Sequence, residues 1–405
     1  MTSQIQTNQR LYYLDGVRAF ALILGVFFHA SLSFMPMFIG WAVMDISTSE
    51  VVSIFILISH SFRMELFFLI AGYFSHLKFH QQSLSTFLKS RFIRILIPFV
   101  LGWFLLRPLL VSGWILGGES MRGEANIING LIAGFDSLSE LPKGLLIGTH
   151  LWFLYYLLFI SISLILLRVV IGQHQPTYQW LKVVLDRGVS WVSNARTGIL
   201  WVSVPTSICL WFMNSWGMET PDKSLIPNIP VTLIYAGFFF FGWLLHRHDN
   251  LIGLFSKITP SKLIFFLVST LSCVILAGFE MKYGHVNYQY IKAGFLFSYA
   301  VMMWTLIALS IGFANKLIKG SNKVVRYLAD ASYWLYLIHL PIVIWLQIAF
   351  AELPLHWSLK LVTVSGMTIL LSILLYDIFV RSTLIGAVLN GSRKTRVIFN
   401  KHKNQ

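Results

Sequence analysis

Apolar residues crowd into ten stretches of the chain, at about 17 to 36, 51 to 78, 92 to 111, 150 to 168, 198 to 213, 229 to 245, 262 to 279, 293 to 313, 332 to 350 and 359 to 380. A helix of such length crosses a hydrocarbon core about 30 Å thick. The pattern predicts an all-α membrane protein of about ten transmembrane helices, with the fifth and sixth the shortest. No small-residue cleavage pattern follows the first run, so it is expected to stay in place as a signal anchor. Ionisable residues inside these stretches are few, and those set deepest include Arg18 and His29 in the first, His60, Arg63 and Glu65 in the second, and His339 in the ninth.

Composition agrees with the pattern. The 405 residues are 56% hydrophobic and 12% charged, with a mean hydropathy of +0.71, which excludes a soluble globule. A net charge of +15 would suggest nucleic acid if the basic residues formed one patch. They alternate between loops instead, so no nucleic-acid partner is expected. Placing the N-terminus in the cytoplasm puts most of the 31 Lys and Arg on that side and only Arg122, Lys143, Lys223, Lys282 and Lys292 outside, as the positive-inside rule requires. Both termini are therefore expected to be cytoplasmic. Most of the 16 acids, from Asp45 to Glu352, fall in outer loops. One membrane domain over residues 1–381 is expected, followed by a basic cytoplasmic tail over 382–405 that contacts anionic lipid. Cys209 and Cys273 both fall in predicted spans, where a packing role is expected.

An ionisable side chain at membrane depth is costly and points to function. Arg18 and His29 are eleven residues apart, which on a helix turns about 1100° and rises roughly 16 Å, so both lie on one face. That face links two depths of the membrane. Arginine so placed can snorkel, whereas neutral imidazole is a natural general base. Arg63 sits about 18 Å in from the outer face, near the level of His29. His60 and Arg63 share a helix face; Arg63 and Glu65 do not. An ion-pair network that only fixes packing is the plain alternative. Ala71 and Gly72 leave room for another helix to approach.

Lys89, Arg91 and Arg94 precede Pro98 at the cytoplasmic mouth of the third span. They satisfy positive-inside bias and equally suit phosphate capture, for which the guanidinium fork is well shaped. His150 and Trp152 open the fourth span at the outer face, where Trp152 is either an interface aromatic or a ring that stacks on a sugar. In the ninth span, Pro341 frees the carbonyl of Leu337 for another partner. No metal-ligand spacing stands out, and His246 and His248 are expected to be solvated in a cytoplasmic loop.

These residues together resemble the membrane-bound acyltransferase-3 family: Leu14-Asp15-Gly16-Val17-Arg18 with ten residues before His29, Phe67-Phe68 leading to Gly72, Arg91 and Arg94 before Pro98, and Ser332-Tyr333 running to His339 and Pro341. The resemblance covers nearly the whole chain. Within the family, His60-Ser61-Phe62-Arg63-Met64, Gly72-Tyr73-Phe74-Ser75 and His150-Leu151-Trp152-Phe153-Leu154 are similar to members that succinylate osmoregulated periplasmic glucans. Ala71 departs from the family's usual serine, and Glu65 stands where aspartate or glutamine is common.

The resemblance implies a bacterial inner-membrane O-acyltransferase with no resident cofactor. Its substrates would be cytoplasmic succinyl-CoA and a periplasmic glucan, and its other partner membrane lipid. His29 and Glu65 are the expected catalytic residues. Arg18, Arg91, Arg94, Tyr333, His339 and Arg63 are expected to hold the acyl donor, and His60, His150 and Trp152 the acceptor. O-acetylation of another surface polysaccharide and secondary transport are the competing readings, the latter weakened because no inverted repeat is evident.

Overall fold

The computed structural model describes residues 11–139, 149–248 and 250–398. Among the basic residues, Arg10, Lys143, Lys401 and Lys403 lie outside the described residues. Helix α1 (Tyr12–Ser31) closes on a 3-10 turn (Leu32–Phe34), and α2 (Glu50–His60) and α3 (Arg63–Gln81) return. A short α4 (Leu84–Arg91) and a π-helical turn (Phe92–Leu96) lead into α5 (Ile97–Ser120), followed by α6 (Ile127–Asp136). Then come α7 (Trp152–Gly172), α8 (Gln175–Asn194), α9 (Gly198–Trp211), α10 (Ile229–Leu245) and α11 (Leu251–Ser256). The rest is α12 (Pro260–Ala277), α13 (Tyr288–Leu317), α14 (Lys323–Phe350), α15 (Trp357–Leu375) with a second π-helical turn (Tyr376–Val380), and α16 (Leu384–Asn390).

The protein is an all-α, multi-pass membrane protein. Among the described residues, eight helical segments are long and apolar enough to cross a membrane, and α9 and α10 are apolar but shorter. These ten match the ten apolar stretches, and no strand occurs among the described residues. We call the end of the bundle where α1 begins the near face, and the end where it stops the far face.

Helix α10 is enclosed by protein: Ile234, Tyr235, Phe238, Phe239 and Leu245 are buried on several sides at once, as expected of a helix apolar all round. Its tightest neighbour is α3. A side chain at Gly72 would collide with the Phe239 carbonyl, and one at Gly242 with the Leu69 carbonyl. Two glycines thus let the backbones touch, the close approach foreseen at Ala71 and Gly72.

The second apolar stretch is not one continuous helix. It breaks at Ser61 and Phe62, where Phe62 leaves helical geometry at φ −137° and the Ser61 hydroxyl bonds back to the Ile58 carbonyl at 2.8 Å. The polar cluster read from the sequence is therefore a helix break, and α3 begins at Arg63 inside the bundle. At the far face, Lys360 is fully buried and donates to Asp45 at 2.7 Å and to the Ala351 carbonyl at 3.0 Å. That pair ties the loop after α1 to α15.

Residues 382–398 do not hang free as a tail. Lys394 pairs with Asp330 on α14, and the backbone N–H groups of Val397 and Ile398 donate to Asp377. The segment packs on the near face. Cys209 and Cys273 are unbridged thiols, half-buried and buried respectively.

Candidate active site

One cavity of about 2210 Å³ runs through the bundle. Along α1 its wall is made by Asp15, Arg18, Ala21, Leu22, Gly25, Phe28 and His29, which is one helical stripe at intervals of three and four. The predicted common face of Arg18 and His29 is therefore the cavity wall. Arg63, Phe67, Ile70, Ala71, Phe74 and Lys78 give the matching stripe of α3.

At the near face the lining is cationic: Arg18, Lys78, Arg91, Arg94, Arg326 and Lys394. Arg18 lies 3.8 Å from Asp15. Arg91 donates to the Ser75 hydroxyl at 2.5 Å and lies over the Phe87 ring at 4.6 Å, so its fork is held on two sides. Arg94 sits in the π-helical turn, and its carbonyl accepts from the Tyr333 hydroxyl at 2.5 Å. Such widened turns are frequent at functional sites. Gly391, at φ +84°, packs directly against the Arg94 guanidinium, where a Cβ would clash.

Midway, three imidazoles converge. The rings of His29 and His339 are 5.2 Å apart, and those of His339 and His150 are 5.8 Å apart. Each of the last two is oriented by backbone. His339 Nδ1 donates to the carbonyls of Leu335 and Tyr336 at 3.1 and 2.8 Å, which leaves its lone pair on Nε2. His150 Nε2 donates to the Leu337 carbonyl at 2.9 Å, the one that Pro341 leaves unbonded within its helix. His29 Nδ1 is buried and has no hydrogen-bond partner among the described residues.

Beside this group, the Arg63 guanidinium lies 4.0 Å from the Phe28 ring centre, which confirms that it shares the level of His29. Arg63 is 6% exposed, and one of its terminal nitrogens has no partner among the described residues. It stands at the first turn of α3, where unbonded N–H groups add positive potential. Arg107 also lines the cavity, over Trp103 at 5.0 Å, with Nε 3.4 Å from the Ser137 carbonyl.

Towards the far face the cavity passes Trp41 and Trp114 and the loop residues Thr220, Asp222 and Lys223. The Trp41 ring stacks on His29 at 5.7 Å and 20°. The site therefore joins a cationic mouth, a histidine centre with an adjoining cation, and an aromatic opening at the other end. A long anionic donor and a hydroxylic acceptor could meet at its middle.

The Acyltransferase domain family model matches residues 11–377. The chain belongs to this acyltransferase family. It is 26% identical over 404 residues to Glucans biosynthesis protein C of Escherichia coli (strain K12), and 25% identical over 397 residues to that of Escherichia coli (strain UTI89). Each match covers 95% of both chains. No solved structure matches.

In this acyltransferase, Arg18, Arg91, Arg94, Tyr333, His339 and Arg63 all reach the cavity, as do His29, His150 and Trp152. Glu65 and His60 are not among the lining residues. Glu65 is wholly buried on the other side of α3, with neither oxygen partnered among the described residues. His60 bonds the Thr220 hydroxyl at 2.9 Å and stacks on Phe28, so it backs the wall. Trp152 is buried rather than at a water interface, and Tyr235 stacks on it at 5.4 Å.

His246 is not merely solvated: its Nδ1 lies 2.8 Å from that of His76. His248 pairs with Asp186 at 3.2 Å. Sequence reading missed Lys78, Arg326 and Lys394 as mouth residues, since loop cations looked alike. It also missed Trp41 and Trp114, whose proximity to His29 depends on how a loop folds back.

Proposed function

We propose that this acyltransferase moves a succinyl group from cytoplasmic succinyl-CoA to hydroxyl groups of periplasmic glucans, across the inner membrane of a bacterium. The observation that carries the reading is the single cavity that joins the cationic near mouth to His29 and continues to the far face. The near face is then cytoplasmic, with both termini there, as the Lys and Arg distribution favours. The printed name of the Escherichia coli relatives, glucans biosynthesis, supports a glucan as acceptor.

Arg18, Arg91 and Arg94 hold the CoA phosphates, for which bidentate guanidinium contacts are apt. The pantetheine arm extends past Tyr333 and His339 and brings the thioester to His29. A glucose hydroxyl oxygen attacks the thioester carbonyl carbon while His29 takes the hydroxyl proton. As the new C–O bond forms, the C–S bond breaks. The thiolate leaves and recovers the proton from His29, so the products are the glucan succinate half-ester and free CoA thiol.

The free carboxylate of the succinyl group needs a cation in so dry a place. Arg63 is apt because it is buried, has a terminal nitrogen with no hydrogen-bond partner among the described residues and lies level with His29, with Arg107 the second choice. Glu65, away from the cavity, takes no step in this scheme. His150 and Trp152 wall the acceptor side, and His60 supports it through Thr220.

Mass spectrometry of periplasmic glucans from cells with and without this chain tests the reaction. A succinyl increment present only with the chain is the expected result. Identical spectra refute the transferase reading, and an acetyl increment alone moves the donor to acetyl-CoA.

A further inference from the structure

We infer that Trp41 and Trp114 form a pyranose-binding corner that delivers the acceptor sugar to His29, a subsite that deepens the glucan reading above and rests on it. Trp41 lies in the loop between α1 and α2, yet its ring is firmly held. Its indole Nε1 donates to Gln347 Oε1 at 2.9 Å. Gln347 Nε2 in turn lies 3.0 Å from the carbonyls of His29 and Ala30 and 3.1 Å from the Ser33 hydroxyl. Those carbonyls lie in the last turn of α1, where the His29 carbonyl also accepts the Leu32 N–H, so Gln347 ties the end of the helix to Trp41 with one residue.

The loop is pressed onto α5 at Gly117, where any Cβ would strike the Ala42 carbonyl. Trp114 is three residues earlier and so on the same face of α5. The two indole rings are 5.2 Å apart with planes at 70°. They make a corner rather than a stack, and Trp114, 39% exposed, is among the residues that line the cavity. Thr220, Asp222 and Lys223 line the same cavity and supply hydroxyl, carboxylate and ammonium groups.

The chemistry recognises a hexopyranose. Such a ring has apolar C–H faces and hydroxyl edges, so it wants flat aromatic walls together with a few polar groups. The stack of Trp41 on His29 fixes the consequence. A glucosyl unit in the corner places a hydroxyl of itself or its neighbour beside the imidazole. Trp152, with Tyr235 stacked on it, offers no comparable open wall.

The test uses the full chain in lipid nanodiscs and unsubstituted periplasmic glucan purified from cells lacking the chain. Equilibrium binding of that glucan and of succinyl-CoA is measured for the unaltered protein, Trp114→Ala and Trp114→Phe, with thermal unfolding as a check of folding. Trp114→Ala is expected to weaken glucan binding at least about fivefold while succinyl-CoA binding stays within about twofold. Trp114→Phe should recover most of the loss. Equal glucan binding by Trp114→Ala, or no glucan binding by the unaltered protein, overturns the subsite. Binding that depends on Trp114 without any succinyl transfer keeps the subsite and removes the transferase reading.

Discussion

His29 and Arg63 sit within a few ångströms of the same phenylalanine, but the scheme gives them different work, and variants separate the two. His29→Ala should lower the rate of transfer by roughly 10²- to 10⁴-fold while succinyl-CoA binding, measured by equilibrium dialysis, changes little. An active His29→Ala enzyme would end the proposed chemistry. Arg63→Ala should reduce succinyl transfer at least about tenfold more than acetyl transfer, read by competing the two thioesters; equal losses would take Arg63 out of carboxylate recognition. The helical register made Arg18 and His29 legible together, because eleven residues return to one face. The convergence of His29, His339 and His150 was not legible, since it depends on how three distant helices pack. The contact of His150 with Leu337 was half legible. Proline marked the free carbonyl, but nothing local marked the taker.

At the scale of helices, hydropathy located the eight segments long enough to cross a membrane and the two shorter apolar helices α9 and α10, because apolar length is a strong signal. It did not find the break at Ser61 and Phe62, which lies inside an otherwise unbroken apolar run. It also did not find the two π-helical turns, which leave little trace in composition. The glycine signal was clearer, since Gly72 marked a close approach without naming α10. Gly72→Val should drive a branched side chain into the Phe239 carbonyl and destabilise the α3–α10 contact by at least about 1–3 kcal/mol. Thermal unfolding in detergent reads this, and an unchanged transition temperature would contradict the packing. Lys360→Ala leaves Asp45 buried without its cation, a loss of roughly 3–5 kcal/mol. Replacing both, with Lys360→Met and Asp45→Asn, should recover part of that stability in the same assay.

For the molecule as a whole, charge asymmetry and the cavity point the same way. The face that carries most Lys and Arg is the face where Arg18, Arg91 and Arg94 line the mouth. Sequence conveyed the first, and only the assembled bundle conveyed the second, because a cavity belongs to no single helix. The folding of residues 382–398 onto that mouth was equally hidden, as their basic composition suggested lipid contact alone. The central claim is transfer through one protein from one side of a membrane to the other. It is tested most directly in sealed proteoliposomes with the near face outward, glucan enclosed in the lumen and succinyl-CoA added outside. Enclosed glucan should become succinylated while free CoA appears outside, and vesicles bearing His29→Ala should give neither. Succinylation that appears only after the vesicles are permeabilised would contradict transfer through the cavity.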